Sequence, residues 1–391
     1  MMAHLTAPAY DTVGTAAAIT FAVETLPPLD ELEAIWSRLD IAGTHSFFLT
    51  WAWIGTLLRC LPSPPQVRLL RAKRGSETVA LAVLTLKRTV RAGVPVMHGW
   101  LNATGDPAYD CITIEHNGFA SAGVRVADLW SAFGEWFATG ITAANEILVI
   151  ATDPETALLS KSHFDLEHRD TGFRTPLQNL GDLEGFMGSL SRNSRQKLRR
   201  SMRDYEAPLS VQVARDTETA LAFLSEMRAL HVRSWTRRGR RHAFTNPFFE
   251  TFHRSLIRVG VDSGAVDLLR VSAGEKPIGY LYNFVRNGTV SSYQSGFDDI
   301  DTRLRPGYVC HAVAIAHYAA AGMAEYDFLA GGNALKHSYG SQTCDLYWTR
   351  VRGNKIVVQV EGMMRKIWTT VRKLPSPGAI SRSTGAFSPV G

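Results

Sequence analysis

Little in this chain of 391 residues invites covalent or metal chemistry. Its four cysteines (Cys60, Cys111, Cys310, Cys344) stand far apart, with no CxxC pair and no histidine at zinc spacing. That excludes a disulfide scaffold or zinc module and reads as reduced, buried thiols. No apolar run approaches the roughly 18–20 residues needed to span a bilayer. No Lys or Arg precedes Arg38, so the apolar stretch 14–23 lacks the basic leader of a signal peptide, and a cytoplasmic protein without membrane spans is expected. Also missing are G-x-S-x-G, H-E-x-x-H and a complete G-x-G-x-x-G. Neither a nucleophile elbow nor a nicotinamide site is therefore expected, and no metal.

What is present is an ordinary globular composition, 45% hydrophobic and 20% charged, on a chain long enough for two domains. Residues 1–20 and the Pro/Gly/Ser-rich tail 374–391 read as disordered. Between them the chain repeats itself. Val67–Arg71, a KRGSE turn and 78–88 read as a strand, turn and strand; Val266–Arg270, SAGEK and 277–286 repeat them 199 residues later. Each hairpin follows two helical segments (29–39 and 51–60; 217–232 and 247–259). Each precedes a strand (109–114; 290–297), a helix (124–139; 307–322) and a further strand (146–150; 326–329). The expected fold is α/β (α+β), two tandem units over 21–180 and 181–370 joined near residues 153–185, each a mixed twisted sheet flanked by helices.

The copies differ in chemistry. Before its third helix the first reads Glu115-His-Asn-Gly-Phe-Ala-Ser-Ala-Gly123, while the second reads Asp301-Thr-Arg-Leu-Arg-Pro-Gly307. Pro306 presets the first helical turn, and Gly307 leaves the amides open to a phosphate, which the helix dipole favours. Arg303 and Arg305 supply cations there, and Tyr308 follows. Tyr293, Gln294 and Ser295 lie on the strand entering this loop. Tyr293 is the preferred general acid among the tyrosines at 280, 282, 293 and 308. Lys336 follows a strand end and a Gly-Gly turn, where side chains point into the cleft above a sheet. Asp106 and Asp110, in GDPAYD of the first copy, are carboxylates of a type that holds an amine or hydroxyl or takes its proton, beside the plainer reading of Asp-Pro as turn chemistry.

Charge is also uneven. From Arg192 to Arg241 thirteen Lys/Arg face five Asp/Glu, a local +8 against +6 for the whole chain. Arg192, Arg195, Arg199 and Arg203 form one face of an amphipathic helix over 191–205, with Leu198, Met202 and Tyr205 as its apolar stripe. Trp235 with Arg237, Arg238, Arg240 and Arg241 makes a second cationic patch. Both point to a local anionic partner.

Tyr293-Gln-Ser-Gly296-Phe-Asp298, Pro306-Gly307, Asp327-Phe-Leu329, Gly331-Gly332, Lys336, Ser191–Arg200 and Arg233–Gly239 resemble the GNAT N-acyltransferases. The wording is most similar to the cellulose-biosynthesis CelD/BcsL type, related to the FemAB/FemX peptidyltransferases. The phosphate loop departs from the family's, with Leu304 at its Gln/Arg position, and Leu335-Lys336 replaces its Tyr-Lys pair. The resemblance implies acyl transfer, in acetyl form, from acetyl-CoA or another acyl-CoA to an amine or hydroxyl of a sugar, polysaccharide or envelope precursor. It implies direct transfer, the thioester carbonyl being polarised by a backbone N–H on the splayed strand at 290–297. Lys336, Tyr293 and Asp110 are then the catalytic candidates. Gln294, Ser295, Arg303, Arg305, Gly307 and Tyr308 hold the donor; Arg195, Arg199, Trp235 and Arg238 hold a substrate or phosphate. A carrier protein or polysaccharide-synthesis machinery is an admissible partner, and nucleic acid is not expected. Two other readings stay open: a FemX-like aminoacyl-tRNA-dependent transferase, and a non-catalytic scaffold.

Overall fold

The computed structural model describes residues 18–62, 67–153, 164–353, 357 and 359–365. The doubling written in the two hairpins is present, and apart from a two-residue β5 (Ala120–Ser121) each copy runs through six strands. The first has β1 (Ile19–Thr25), β2 (Val67–Arg74), β3 (Glu77–Arg91), β4 (Val94–Leu101), β6 (Glu146–Thr152) and β7 (Phe164–Pro176). The second has β8 (Leu209–Val213), β9 (Val266–Ala273), β10 (Lys276–Arg286), β11 (Thr289–Phe297), β12 (Glu325–Ala330) and β13 (Gln342–Arg352). The hairpin turns carry Gly75 and Gly274 at φ 62° and 59°, a left-handed conformation that costs glycine nothing.

All join one sheet, in the order β1-β2-β3-β4-β6-β13-β7-β12-β11-β10-β9-β8, with β5 beside β3. Within each copy the first four long strands pair antiparallel. The fifth then returns parallel, β6 beside β4 and β12 beside β11. Helices Val126–Ala138 and Pro306–Ala320 make these two crossovers. The sixth strands are exchanged. β7 of the first copy pairs with β12 of the second, and β13 of the second pairs with β6 of the first. The two exchanged strands lie antiparallel to each other from Phe164↔Val351 to Arg174↔Gln342.

Helices fasten the copies a second time. Helix Trp51–Cys60 of the first lies against Pro247–Gly260 of the second, and Trp53 meets Phe252 edge-on at 4.8 Å between centroids. Phe47 stacks on Phe284 at 4.4 Å. These aromatics belong to one buried cluster drawing on both copies. Separate clusters sit under helix Pro306–Ala320 and under helix Val126–Ala138.

Three expectations change. The strand expected over 109–114 lies earlier, at Val94–Leu101, and Asp110–Ile112 is instead a single 3-10 turn. There Asp110 accepts the amides of Thr104 and Gly105, which closes the loop on itself. The joining segment holds β7, whose run of acidic and basic residues disguises an inner strand. Ile19 and Thr20 belong to β1, while 1–17 and the tail 374–391 lie outside the described residues.

Gly296 pairs with Tyr280 of β10, and a Cβ there would collide with the Met227 carbonyl oxygen of helix Thr217–Arg237. Gly296→Ala is expected to cost about 1–3 kcal/mol in denaturant unfolding. Gly188→Ala, in helix Leu183–Ser189 with no atom near its would-be Cβ, should instead be neutral or stabilise by about 0.5–1 kcal/mol.

Candidate active site

β11 and β12 are in register only at Thr289–Ser291 and Glu325–Asp327, and beyond Ser291 they part. A register shift against β10 makes Tyr293 the extra residue of a β-bulge, since Tyr282 faces Gln294 while Asn283 faces Ser292. The fork opens onto a cavity of about 300 Å³. Ser292, Tyr293, Gln294 and Ser295 line it from β11, Phe328–Ala330 from β12, Lys336 from the short helix Ala334–Tyr339, and Glu115 from the first copy.

The end of β12 is held in an unusual shape. Leu329 has φ 62°, a strained value for a leucine, and its N–H donates to Asp327 Oδ1 at 2.7 Å. Lys336 Nζ donates to the carbonyls of Leu329 and Ala330 at 3.1 and 2.6 Å. The Ala330 N–H donates to Glu115 Oε2 at 2.7 Å. Burial raises the Glu115 pKa above the usual carboxylate value, against the Ala330 N–H, His116 and Lys336. Burial lowers the Lys336 pKa, against Glu115, Asp327 and Asp170. A buried carboxylate and a buried ammonium thus share one cavity, each drawn toward its neutral form.

Glu115 reaches the second copy because the first copy's own fork is filled. β4 and β6 pair only at His98–Trp100 and Glu146–Leu148. Above them the Asn117 N–H donates to the Ala151 carbonyl at 3.0 Å and its Nδ2 to the Leu101 carbonyl at 2.9 Å. Asn102 Nδ2 then donates to Asn117 Oδ1 at 2.9 Å. This plug fills the gap between β4 and β6 and delivers Glu115, two residues earlier, into the other fork.

Next to Glu115, His116 lies between Asp153 at 2.6 Å and Asp327 at 2.9 Å. Burial opposes its charge, yet the two carboxylates hold its pKa well above the ordinary value. Asp327, though buried, is kept below the carboxylate range by His116 and Arg174. His116, Asp153 and Cys344 bring donor atoms within 4.8 Å of one another. With Asp327 on the other imidazole nitrogen and Arg174 alongside, we read that trio as part of an ion-pair network.

Of the residues singled out in sequence, Tyr293, Gln294, Ser295 and Lys336 converge on this cavity. The others stand elsewhere. Asp110 spends its carboxylate on Thr104 and Gly105, and Asp106 caps Ala108. Tyr293 donates its phenol to the Ile112 carbonyl beside His253 and packs among Trp53, Phe249 and Phe284, so its proton has a structural post. Arg303 is clamped on Asp301, whereas Arg305, at φ 48°, precedes the helix with its side chain exposed. Gly307 lies at that helix start against Phe297, and Tyr308 receives the Tyr339 hydroxyl on its carbonyl.

Much of the cationic stretch is neutralised internally. Arg233 and Lys276 pair with Asp298, and Arg237 and Arg238 with Asp299. Trp235 stacks on His231, which bonds the Ser295 carbonyl at 2.8 Å. Arg195 caps the carbonyls of Gly188 and Leu190, and Arg199 pairs with Glu184. Glu115 is not among the residues singled out in sequence. Its one sequence signal is a carboxylate inside a run otherwise made of small, polar and apolar residues.

Residues 192–337 match the acetyltransferase (GNAT) domain. That segment, less than half of the chain, runs from the basic helix through Lys336. No curated protein matches. Among solved structures the fold is similar to FemX, with 11% identity and a TM-score of 0.55 over 86% of this chain and 98% of that one. A conserved protein from Bacteroides thetaiotaomicron follows at 8% identity, TM-score 0.51, over 85% and 100%. The C-terminal domain of a putative lysylphosphatidylglycerol synthetase from Agrobacterium fabrum has 10% identity, TM-score 0.50, over 87% and 96%. At these identities the likeness is one of fold. The matched segment holds the open fork, and the first copy holds the plugged one. No helix among the described residues is long and apolar enough to cross a membrane.

The buried histidines set a pH signature. Burial depresses His253 and His311 to about 3, so each adds stability above the unfolded value of roughly 6.5 and loses it as pH falls toward 3. His116 is raised, so its contribution is complete below roughly 6.5 and fades as pH climbs through its folded value. Melting temperature should therefore peak near neutrality. His253→Gln should flatten the acid side and His116→Gln the alkaline side; a wild-type profile flat from about pH 4 to 8 would contradict both.

Proposed function

We propose that the chain is an acyltransferase that carries an acyl group, acetyl in the simplest case, from acyl-CoA to an amine or hydroxyl. The observation that carries this reading is the convergence of Glu115 and Lys336 in the fork opened by the Tyr293 bulge. The thioester would lie along β11 beyond Ser291, where the strand's free edge offers backbone N–H groups to the carbonyl oxygen. Its phosphates would meet the start of helix Pro306–Ala320 and Arg305. The acceptor's nitrogen or oxygen attacks the acyl carbon and its proton passes to Glu115, whose raised pKa suits a base. The carbon–sulfur bond breaks, and the Lys336 ammonium steadies the negative charge on the departing side. Glu115 takes the part assigned in sequence to Asp110, and Tyr293 serves as a wall of the fork. The resemblance of the sequence patches directs the acceptor toward a saccharide, polysaccharide or envelope precursor.

Aminoacyl-tRNA as donor is the rival, and the fold shared with FemX keeps it in view. Against it, Asp298 and Asp299 neutralise three of the cations around Trp235, Arg233, Arg237 and Arg238. A thermal-shift series separates the two. Acetyl-CoA at about 100 times its Kd should stabilise by about 2.7 kcal/mol, and aminoacyl-tRNA should not. A shift with the tRNA alone would reverse the assignment, and no turnover with any acceptor would favour a scaffold.

Donor binding should depend unequally on the two loop arginines. Arg305→Ala is expected to lose about 1.5–3 kcal/mol of acyl-CoA affinity by calorimetry. Arg303→Ala should lose less, because Arg303 must first leave Asp301.

Glu115→Gln should lower kcat about 10²–10⁴-fold and Lys336→Met about 10²–10³-fold, with donor affinity nearly kept. The wild-type rate profile should be bell-shaped. Its acid limb should lie above the ordinary Glu value and its alkaline limb below the ordinary Lys value, each variant erasing its own limb. Retention of both limbs in both variants would remove the pair from the chemistry.

A further inference from the structure

The basic helix Arg192–Arg203 has five arginines, one lysine and no acid, and nothing in the fork explains it. Its attachment is ordinary: Ser191 caps the N-terminus, Leu198 and Ser201 are buried, and Met202 packs on the cluster under helix Pro306–Ala320. The helix leans on that crossover helix and on the turn Thr302–Leu304, so it borders the proposed phosphate end of the donor site. Its outer face is the anomaly. Only Arg199 and Arg200 reach carboxylates, Glu184 at 3.0 Å and Asp204 at 3.8 Å. Among the described residues, Arg192, Lys197, Arg203 and Arg305 have no such partner, and all four are exposed. Such a concentration of unpaired like charges favours a bound polyanion.

Beside these cations is a shallow groove of about 610 Å³ with Met187 and Met202 in its wall, Arg199 along it on Glu184, which also lines it, and Arg200 and the unpaired Arg203 further on. Methionine makes an adaptable apolar surface, and arginine beside it selects carboxylates. The turn adds Ile300, 69% exposed, as an apolar point. We propose that this face docks an acidic carrier protein that bears the acyl group as a pantetheine thioester, so that its arm enters the fork past Arg305. The proposal rests on the acyl-transfer reading and names the donor's macromolecular form. The step balances as before: the pantetheine C–S bond breaks, the acyl carbon bonds the acceptor's nitrogen or oxygen, the acceptor's proton passes to Glu115, and the thiolate stays on the carrier. The groove is lined by no aromatic on which a nucleobase would stack. A single exposed isoleucine is too little apolar surface to enter a bilayer. Carboxylates with apolar neighbours on a protein surface match what is there.

The test uses the full chain and a purified acidic acyl carrier protein loaded with acetyl-pantetheine. Fluorescence anisotropy should show binding that weakens as salt rises from about 50 to about 300 mM. Arg199→Glu with Arg203→Glu should weaken it at least about tenfold. Should that variant fold poorly by circular dichroism, Arg192→Glu with Lys197→Glu, both exposed, serves the same measurement. Kinetically, the ratio of kcat/KM for carrier-borne over CoA-borne acetyl should fall at least about tenfold in the reversal variant. An equal loss for both donors would overturn the proposal, since the row would then serve CoA phosphates. So would absent carrier binding, or tighter binding of mixed tRNA or of phosphatidylglycerol vesicles. Carrier binding that the reversals abolish, in a protein that transfers acetyl from neither donor, would support the docking face and reject the acyl-transfer reading.

Discussion

The exchange of β7 and β13 is the constraint on which the rest depends. Each copy alone would end its sheet at a parallel pair with an open edge, a liability that proteins usually cover. Here each copy covers the other's edge, and the exchanged strands also pair with each other along most of their length. The aromatic core of Trp53, Phe252 and Phe284 fastens the copies again on one face. Two forks become neighbours in a single sheet, and a loop from one can serve the other.

That neighbourhood is used asymmetrically. Asn117 and Asn102 satisfy the backbone at the mouth of the first fork, and the same loop sends Glu115 into the second. The second fork is kept open by its own polar frame. Asp327 fixes the left-handed Leu329, Lys336 takes two strand-end carbonyls, and His116 with Arg174 neutralises Asp327. Strain, buried charge and cavity coincide at one strand end, where a protein that only had to fold would have extended the ladder.

The doubling was legible because hairpins announce themselves locally: alternating apolar strands around a glycine turn survive in both copies. The helices followed from their apolar spacing, and Lys336 and the β11 segment from their place after strand ends. Asp110 misled because an Asp after a Pro near a strand looks like an exposed carboxylate, whereas its three hydrogen bonds turn it onto its own loop. The charge of the cationic stretch reads as freer than it is because Asp298 and Asp299, which neutralise three of its arginines, lie some sixty residues further along the chain.

By itself the sequence determined two α/β copies, the elements within each, an unequal chemistry between them and a cationic helix with an unpaid charge. These rest on local periodicity, turn residues and composition, which act over a few residues. Tertiary structure decided which strands pair across the copies, which fork is open, and that Glu115 and Lys336, more than two hundred residues apart, share a cavity. Those outcomes depend on strand exchange and on buried polar groups finding partners, and neither leaves a periodic trace in the chain.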